Sequence, residues 1–144
     1  MQHRSKGEVM KLYTYLNYGG NCQEAFRFYE QHLGGKITMM MTHGQGPNPN
    51  NVPPNWKNAV LHARMNIGET ELLAADIPSY QPMRSAYLTL IVSSIDEAER
   101  IYAALSDGGE IFMPMSETFF AFRFAQLRDK FGTSWTILHE RPRS

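Results

Sequence analysis

The sequence lacks an excess of charge of either sign, a second cysteine and any long apolar run, and each absence excludes a class of protein. Its 14 basic and 14 acidic side chains balance to a formal net charge of zero, so nothing indicates a basic surface that binds nucleic acid or an acidic membrane. Cys22 stands alone and cannot form an internal disulfide, which favours a reducing compartment and predicts a cytoplasmic protein. The longest apolar stretch, near 87–92, is far shorter than the roughly 20 residues that span a bilayer.

The chain has the length of one domain with one hydrophobic core, at 144 residues. Its opening stretch, residues 1–9, is polar and has no apolar periodicity, and we expect it to be disordered or foreign to the fold. The remainder, 10–144, is expected to form a single domain.

An internal repeat divides this domain. The string EAFRFY followed by GGKITM recurs as EAERIY followed by GGEIFM, about 73 to 74 residues further on. Later in each copy the shift falls to about 64, which pairs Gly68 with Gly132. The first copy therefore has a loop about ten residues longer, and the Gly-, Pro- and Asn-rich stretch 44–58 fits it. We expect repeat one to cover 10–80 and repeat two 81–141.

Each copy predicts the element order βαβββ. Asn21 with Glu24, and Ser94 with Glu97, have the spacing of a capping box at a helix start, and glycine pairs at 34–35 and 108–109 end both helices. Aromatic and β-branched residues predict the strands. The strands are expected over 12–18, 36–43, 58–67 and 70–76 in the first copy, and over 86–92, 110–118, 120–128 and 134–139 in the second.

The third strand of the first copy alternates between two kinds of side chain. One set is apolar and the other mostly polar: Leu61, Ala63, Met65 and Ile67 against Val60, His62, Arg64 and Asn66. We expect the apolar set to pack on a helix. The polar set either is solvated or lines a cavity, since a sheet curled around such a face encloses one.

Two βαβββ units whose first helix ends in Leu33, Gly34 and Gly35, with the turn DKFG over 129–132 before the last strand, resemble the vicinal oxygen chelate superfamily of glyoxalases, bleomycin-resistance proteins and extradiol dioxygenases. The string SETFFA over 116–121, the DKFG turn and Trp135 resemble its PhnB-like branch, often labelled demethylubiquinone methyltransferase-like. The resemblance implies an α+β fold of cupped, antiparallel-rich mixed sheets with helices on the convex faces. It also implies a small-molecule ligand and a homodimer, because a partner completes the open half-barrels and sheet edges.

The superfamily's usual metal centre is not expected here. In metal-using relatives the ligands lie on the first and last strands of each unit, positions that the resemblance places at Tyr13, Leu72, Tyr87 and Thr136. None of these is the His, Glu or Gln of such a centre, and a divalent metal needs about three nitrogen, oxygen or thiolate donors. No glycine-rich strand-to-helix turn for a nucleotide cofactor is recognised either, so no cofactor is predicted.

His62 and Glu117 are the candidate catalytic residues. A histidine titrates near neutral pH, and the alternation directs His62 toward the expected cavity. Glu117 and His43 are equivalent in the repeat and end the second strands, where they serve proton transfer at the mouth of two half-sites or are simply solvated strand ends. His62 has its own alternative, a histidine hydrogen-bonded in a polar interior.

The candidate ligand-binding residues are aromatic and basic. Tyr13, Tyr15 and Tyr87 fit the walls of a mostly apolar pocket, although core packing is the more ordinary role of such residues. Arg64 and Arg123 either clamp a carboxylate or phosphonate or pair with local acids.

Two kinds of function fit these residues. The first is a small-molecule-binding protein that acts as a metal-independent lyase or isomerase, or catalyses a reaction that the sequence does not specify. The second is a non-catalytic protein that sequesters a toxic or antibiotic-like compound, which needs mainly aromatic walls and a wide groove. A metal-dependent glyoxalase or dioxygenase is disfavoured by the missing ligands.

Overall fold

Two four-stranded sheets, each covered on one face by a helix, make up the structure, a computed structural model that describes residues 10–142. Sheet 1 and its helix comprise β1 (Thr14–Tyr18), α1 (Cys22–Leu33), β2 (Lys36–Thr42), β3 (Val60–Ile67) and β4 (Thr70–Asp76). Sheet 2 and its helix comprise β5 (Leu88–Ile91), α2 (Ile95–Ser106), β6 (Glu110–Ser116), β7 (Ala121–Arg128) and β8 (Ser134–Glu140). Residues 1–9, expected to lie outside the fold, fall outside the described residues.

The expected α+β fold is confirmed, and the two sheets share one topology. Their strand orders are β1-β4-β3-β2 and β5-β8-β7-β6. In each sheet the first strand runs parallel to the last and the other pairs are antiparallel. Every expected strand is present within two residues of its expected bounds. No helix between residues 10 and 142 is long and apolar enough to cross a membrane.

The two helices begin differently, although the sequence predicts a capping box for both. At α2 the Ser94 hydroxyl accepts from the Glu97 amide at 3.0 Å, and the Glu97 carboxylate accepts from the Ser93 amide. At α1 the Asn21 side chain makes no cap. The carboxylate of Asp76, at the end of β4, accepts from the amides of Gly20 and Cys22 instead. A buried anion from another strand thus caps α1 and also interacts favourably with the helix dipole.

One buried core joins both units through their helix-covered faces. The Tyr29 ring of α1 lies 5.2 Å from the Trp135 ring of β8, and Phe28 lies 5.5 Å from Phe131. The Arg100 side chain of α2 donates to a main-chain carbonyl of α1. The opposite face of each sheet is therefore turned away from the shared core. We call these surfaces the open face of sheet 1 and the open face of sheet 2.

A polar network, here called the junction, fastens repeat one to repeat two inside this core. The Asp129 carboxylate accepts from the Tyr29 hydroxyl at 2.5 Å, the Trp135 indole N–H at 2.8 Å and two main-chain amides of its own turn. The Tyr18 and Thr133 hydroxyls lie 3.0 Å apart beside it. Burial raises the pKa of Asp129 above its usual value, against the opposing effect of these hydrogen bonds.

The core also corrects the register of the repeat. Met65 pairs with Leu72 in sheet 1, and Leu127 pairs with Trp135 in sheet 2, and all four are in the core. Equivalent residues of the two repeats are thus 62 positions apart in the third strand and 63 in the last, whereas the glycines at 68 and 132 suggest about 64. Val60, expected on the polar side, is buried in the core as well, next to an irregularity in the β2–β3 pairing.

Candidate functional site

The open face of sheet 1 carries the expected histidine and one of the expected tyrosines. Pairing across the strands places Tyr15, Leu73, Arg64 and Met39 in one row, and His62 opposite Met41 beside it. Tyr15 is 52% exposed, and its ring centre lies 6.2 Å from that of His62. Strand alternation produces this arrangement, because the intervening residues point into the core.

Arg64 and Arg123 both pair with acids of the chain. Arg64 forms an ion pair with Glu71. Arg123 lies 3.1 Å from Glu99 of α2 and so contacts the helix-covered side of sheet 2. Each guanidinium thus pairs with a local carboxylate, the alternative to ligand binding that the sequence left open for both.

The open face of sheet 2 is polar along its middle and apolar beside it. Thr89, Thr136, Gln126 and Met113 form one row across the four strands. The Gln126 amide donates to the Thr136 hydroxyl at 3.2 Å. Ile91, on the same face of β5 as Thr89, is 66% exposed.

Glu117 does not meet His62 within one chain. It follows β6 of sheet 2, where Arg141 donates to its carboxylate at 2.6 Å. His62 is on sheet 1, and the two open faces are turned away from their shared core, so the fold separates the two candidates.

His43 and the long loop lie at the start of β3. Thr42 and Gln45 form a capping box at a short 3-10 turn over His43–Gln45, a feature that the sequence interpretation missed. The His43 ring contacts Trp56, and residues 47–52 of the loop enclose a recess of about 230 Å³ next to Leu61. The loop is thus folded onto the start of β3, one residue before His62.

A groove of about 830 Å³ runs along the outer edge of β5 and reaches Thr14 of β1. It is lined by residues 87–92 and contacts Tyr87 and Thr89. Both β1 and β5 pair with a neighbour on one side only, so their other edges present unpaired main-chain groups. The sequence interpretation placed the ligand on the concave face of the sheets and did not foresee a groove along this strand edge.

The residues at the metal-ligand positions do not fit a metal centre. Leu72 is 2% exposed and points into the core, so in the corrected register Leu73 is the counterpart of Thr136. A one-residue slip in a strand moves a side chain to the other face. Leucine has no donor atom, and the Thr136 hydroxyl already accepts from Gln126. Within residues 10–142 no group of three or more His, Cys, Asp and Glu side chains is placed to hold a metal.

The thiol of Cys22 is not an available nucleophile. It is fully buried at the start of α1. Burial, reinforced by the nearby Asp76 carboxylate, raises the pKa of this thiol well above its usual value. The group therefore stays protonated near neutral pH.

Residues 10–138 match the family described as 3-demethylubiquinone-9 3-methyltransferase. The chain belongs to this family. Protein YjdN of Escherichia coli (strain K12) is 31% identical to it over 139 residues, 89% of this chain and 94% of YjdN. Protein PA1353 from Pseudomonas aeruginosa is similar in structure, with a TM-score of 0.82 and 37% identity over 93% of this chain and 100% of that one.

More distant structures show the fold alone. The fosfomycin resistance protein FosX from Listeria monocytogenes has a TM-score of 0.64 at 12% identity, over 93% of this chain and 95% of that one. The family match confirms the demethylubiquinone methyltransferase-like branch that the sequence predicts, and this likeness confirms the predicted fold. That FosX structure is a complex with Mn(II).

Proposed function

We propose that the protein binds a small, partly apolar molecule on the open face of sheet 1, in a cavity that the open face of sheet 2 from a second copy completes. One observation carries the proposal: the Tyr15 ring is 52% exposed beside His62, on the face of sheet 1 opposite its helix. Burying apolar surface contributes about 25 cal/mol per Å², and exposed apolar patches mark interaction sites. A symmetric homodimer in the cytoplasm would present two such cavities.

Within this cavity, His62 is the proposed acid or base of a metal-independent lyase or isomerase. Its ring stands beside Tyr15, and a positioned imidazole accelerates proton transfer on the order of 10² to 10⁴-fold. Glu117 takes part only if the second copy brings it there. Tyr87 and Thr136 belong to the opposing wall, since both lie on sheet 2.

Sequestration without catalysis is the second candidate, and one observation favours it. Among the described residues, the ring neighbour of His62 is Tyr15, and no carboxylate forms a hydrogen bond or ion pair with the imidazole. A binding protein needs walls rather than such a pair.

Methyl transfer, which the family's description names, is not part of the proposal. The turn between β1 and α1 carries two glycines, Gly19 and Gly20, a resemblance to a nucleotide-binding turn that the sequence interpretation overlooked. The Asp76 carboxylate already binds the Gly20 and Cys22 amides there. An anionic cofactor group at this helix start would face that negative charge, so the residues do not fit one.

Binding is tested first with phenylnaphthylamine, a neutral aromatic probe whose fluorescence rises in an apolar site. Tyr15→Ala is expected to weaken binding about tenfold, because it removes an aromatic wall. His32→Ala, a half-buried histidine on α1 away from the open faces, is the matched control for His62→Ala. Unchanged affinity in both Tyr15→Ala and His62→Ala would contradict the proposed site.

Catalysis is separated from sequestration with a metabolite library. A compound that binds the native state raises the unfolding temperature by mass action. Each such compound is then incubated with the protein and analysed by mass spectrometry. Conversion that is lost in His62→Ala supports the enzyme, and binding without conversion supports sequestration.

A further inference from the structure

The arginines of the described residues differ in whether a carboxylate neutralises their charge, which the sequence does not reveal. Five pair with a glutamate: Arg27, Arg64, Arg123, Arg128 and Arg141. Arg100 donates to a carbonyl. Arg84 has no carboxylate among residues 10–142 and donates to the Tyr87 hydroxyl at 2.6 Å. Arg84 is therefore a cation whose charge no described side chain neutralises.

An aromatic platform holds the Arg84 guanidinium in place. Its central carbon lies 3.9 Å from the centre of the Phe112 ring, which also contacts the Tyr87 ring edge-on. Phe112 occupies the irregularity in the β6–β7 pairing between Ile111 and Met113, and such bulges redirect side chains. A guanidinium stacked on an aromatic face has its N–H groups in its own plane, where they remain free for hydrogen bonds.

The main chain just before Arg84 is anchored. The Met83 amide donates to the Gly132 carbonyl at 2.8 Å, and the Met83 carbonyl accepts from the Ser134 hydroxyl at 2.6 Å. Ser85 has a φ of +66°, a left-handed conformation that costs a non-glycine residue on the order of 1 kcal/mol. This linker segment is thus fixed to the start of β8 rather than free to swing.

The cluster lies on the open face of sheet 2 and carries net positive charge. Arg128 follows the core residue Leu127 in β7, so alternation places it on the open side. Its guanidinium lies 5.6 Å from the Phe112 ring and pairs with Glu110 at 2.9 Å. With Arg128 neutralised by Glu110, Arg84 supplies the one uncompensated charge of the cluster. It also has four N–H donors besides the one that Tyr87 accepts.

We infer that this cluster binds an anionic group of the ligand, a carboxylate, sulfonate or phosphate-type oxyanion, with Arg84 as the ion-pairing residue and Tyr87 beside it. The inference rests on the proposed function, because the ligand's apolar part lies on the open face of sheet 1 of the other copy. A guanidinium fork matches a planar or tetrahedral oxyanion with two parallel hydrogen bonds. The proposed ligand is therefore an organic anion rather than a neutral compound.

The test compares two probes with the same aromatic rings, neutral phenylnaphthylamine and anilinonaphthalene sulfonate, on the full chain. Arg84→Gln is expected to weaken the sulfonated probe about tenfold and to leave the neutral probe within about twofold. Glu110→Gln is expected to tighten the sulfonated probe about two- to threefold, because it frees Arg128. Arg27→Gln, an arginine on α1 that pairs with Glu30, is the matched control and should change neither.

The outcomes separate this inference from the function on which it rests. If Arg84→Gln weakens both probes equally, or neither, the anion site is contradicted while the binding face stands. If neither probe binds the wild type, the proposed function is contradicted and this inference with it. Acetate and inorganic phosphate, compared at equal ionic strength, should displace the sulfonated probe from the wild type, and the stronger competitor identifies the anion. Displacement by neither would overturn the inference.

Discussion

The junction and the open face of sheet 1 use the same kinds of side chain in opposite ways. In the junction Tyr29 is fully buried, and its hydroxyl and the Trp135 indole both reach Asp129. On the open face Tyr15 is half exposed, and it contacts only His62 among the rings around it. One chain therefore completes the junction, in which every buried polar group has a partner. It leaves the open face incomplete, which is why we assign stability to the first and binding to the second.

Asp129→Ala should have the largest effect on stability. The substitution leaves the Tyr29 hydroxyl, the Trp135 N–H and two amides without their acceptor in the core, and each unsatisfied group costs about 1–3 kcal/mol. We expect the free energy of unfolding to fall by about 3–5 kcal/mol in urea titrations. Asp107→Ala, an exposed aspartate after α2, should stay within about 0.5 kcal/mol. Equal midpoints for the two variants would show that the junction is not a stabilising contact.

Tyr29→Phe should have a smaller effect of the same origin. It removes one hydroxyl, which donates to Asp129 and contacts Thr133 at 3.0 Å, and keeps the ring. A loss of about 1–2 kcal/mol is expected. Tyr102→Phe on α2, a half-buried tyrosine, is the control. A loss no greater than in this control would argue against the network.

The pH dependence of the junction follows from the raised pKa of Asp129. Because the folded pKa lies above the unfolded value of about 3.8, the folded state binds this proton more tightly. The carboxyl group therefore adds stability as the pH falls toward that unfolded value, and this contribution is lost as the pH rises through the folded pKa. Asp129→Asn lacks the titration. The free energy of unfolding of the wild type minus that of this variant should increase from about pH 7 to about pH 4. A decrease would mean that the four hydrogen bonds outweigh burial in setting the pKa of Asp129.

The protein should bind no stoichiometric metal on its open faces. After chelation and exposure to Zn²⁺ or Ni²⁺, elemental analysis is expected to find no stoichiometric metal, because Tyr13, Leu73, Tyr87 and Thr136 do not supply three suitable donors. One metal per chain that is retained by the wild type and lost in Tyr13→Phe would overturn this assignment.

Local patterns in the sequence predict most of the fold, and contacts between distant residues explain what they miss. The repeat and the strand alternation predict both sheets and direct His62 to an open face. The longer β7–β8 turn shifts the register by one residue, so the sequence alignment assigns Leu72 to the wrong side. The Asp76 cap on α1 joins residues 54 positions apart, a separation that no spacing rule covers.

The candidate site is harder to predict than the fold, because it also depends on contacts between residues that are distant in the sequence. Arg84 lies in the linker between the repeats, outside every strand pattern, and only the structure shows it stacked on Phe112 and unpaired with any acid of residues 10–142. Conversely, Arg64 and Arg123 are on strands and are therefore conspicuous in the sequence, yet each is neutralised by a glutamate. A sequence does not show which cations are already paired.

Mixing two variants tests most directly whether each cavity combines sheet 1 of one copy with sheet 2 of the other. Light scattering should first give a mass of about twice 16.5 kDa. Tyr15→Ala and Arg84→Gln chains are then denatured and refolded together in equal amounts, so that about half of the dimers are mixed. Each mixed dimer has one cavity with both substitutions and one with neither. The account predicts that about a quarter of all cavities bind anilinonaphthalene sulfonate with wild-type affinity. If the mixture shows no sites of wild-type affinity, or if the protein is a monomer at every concentration, the shared cavity does not exist.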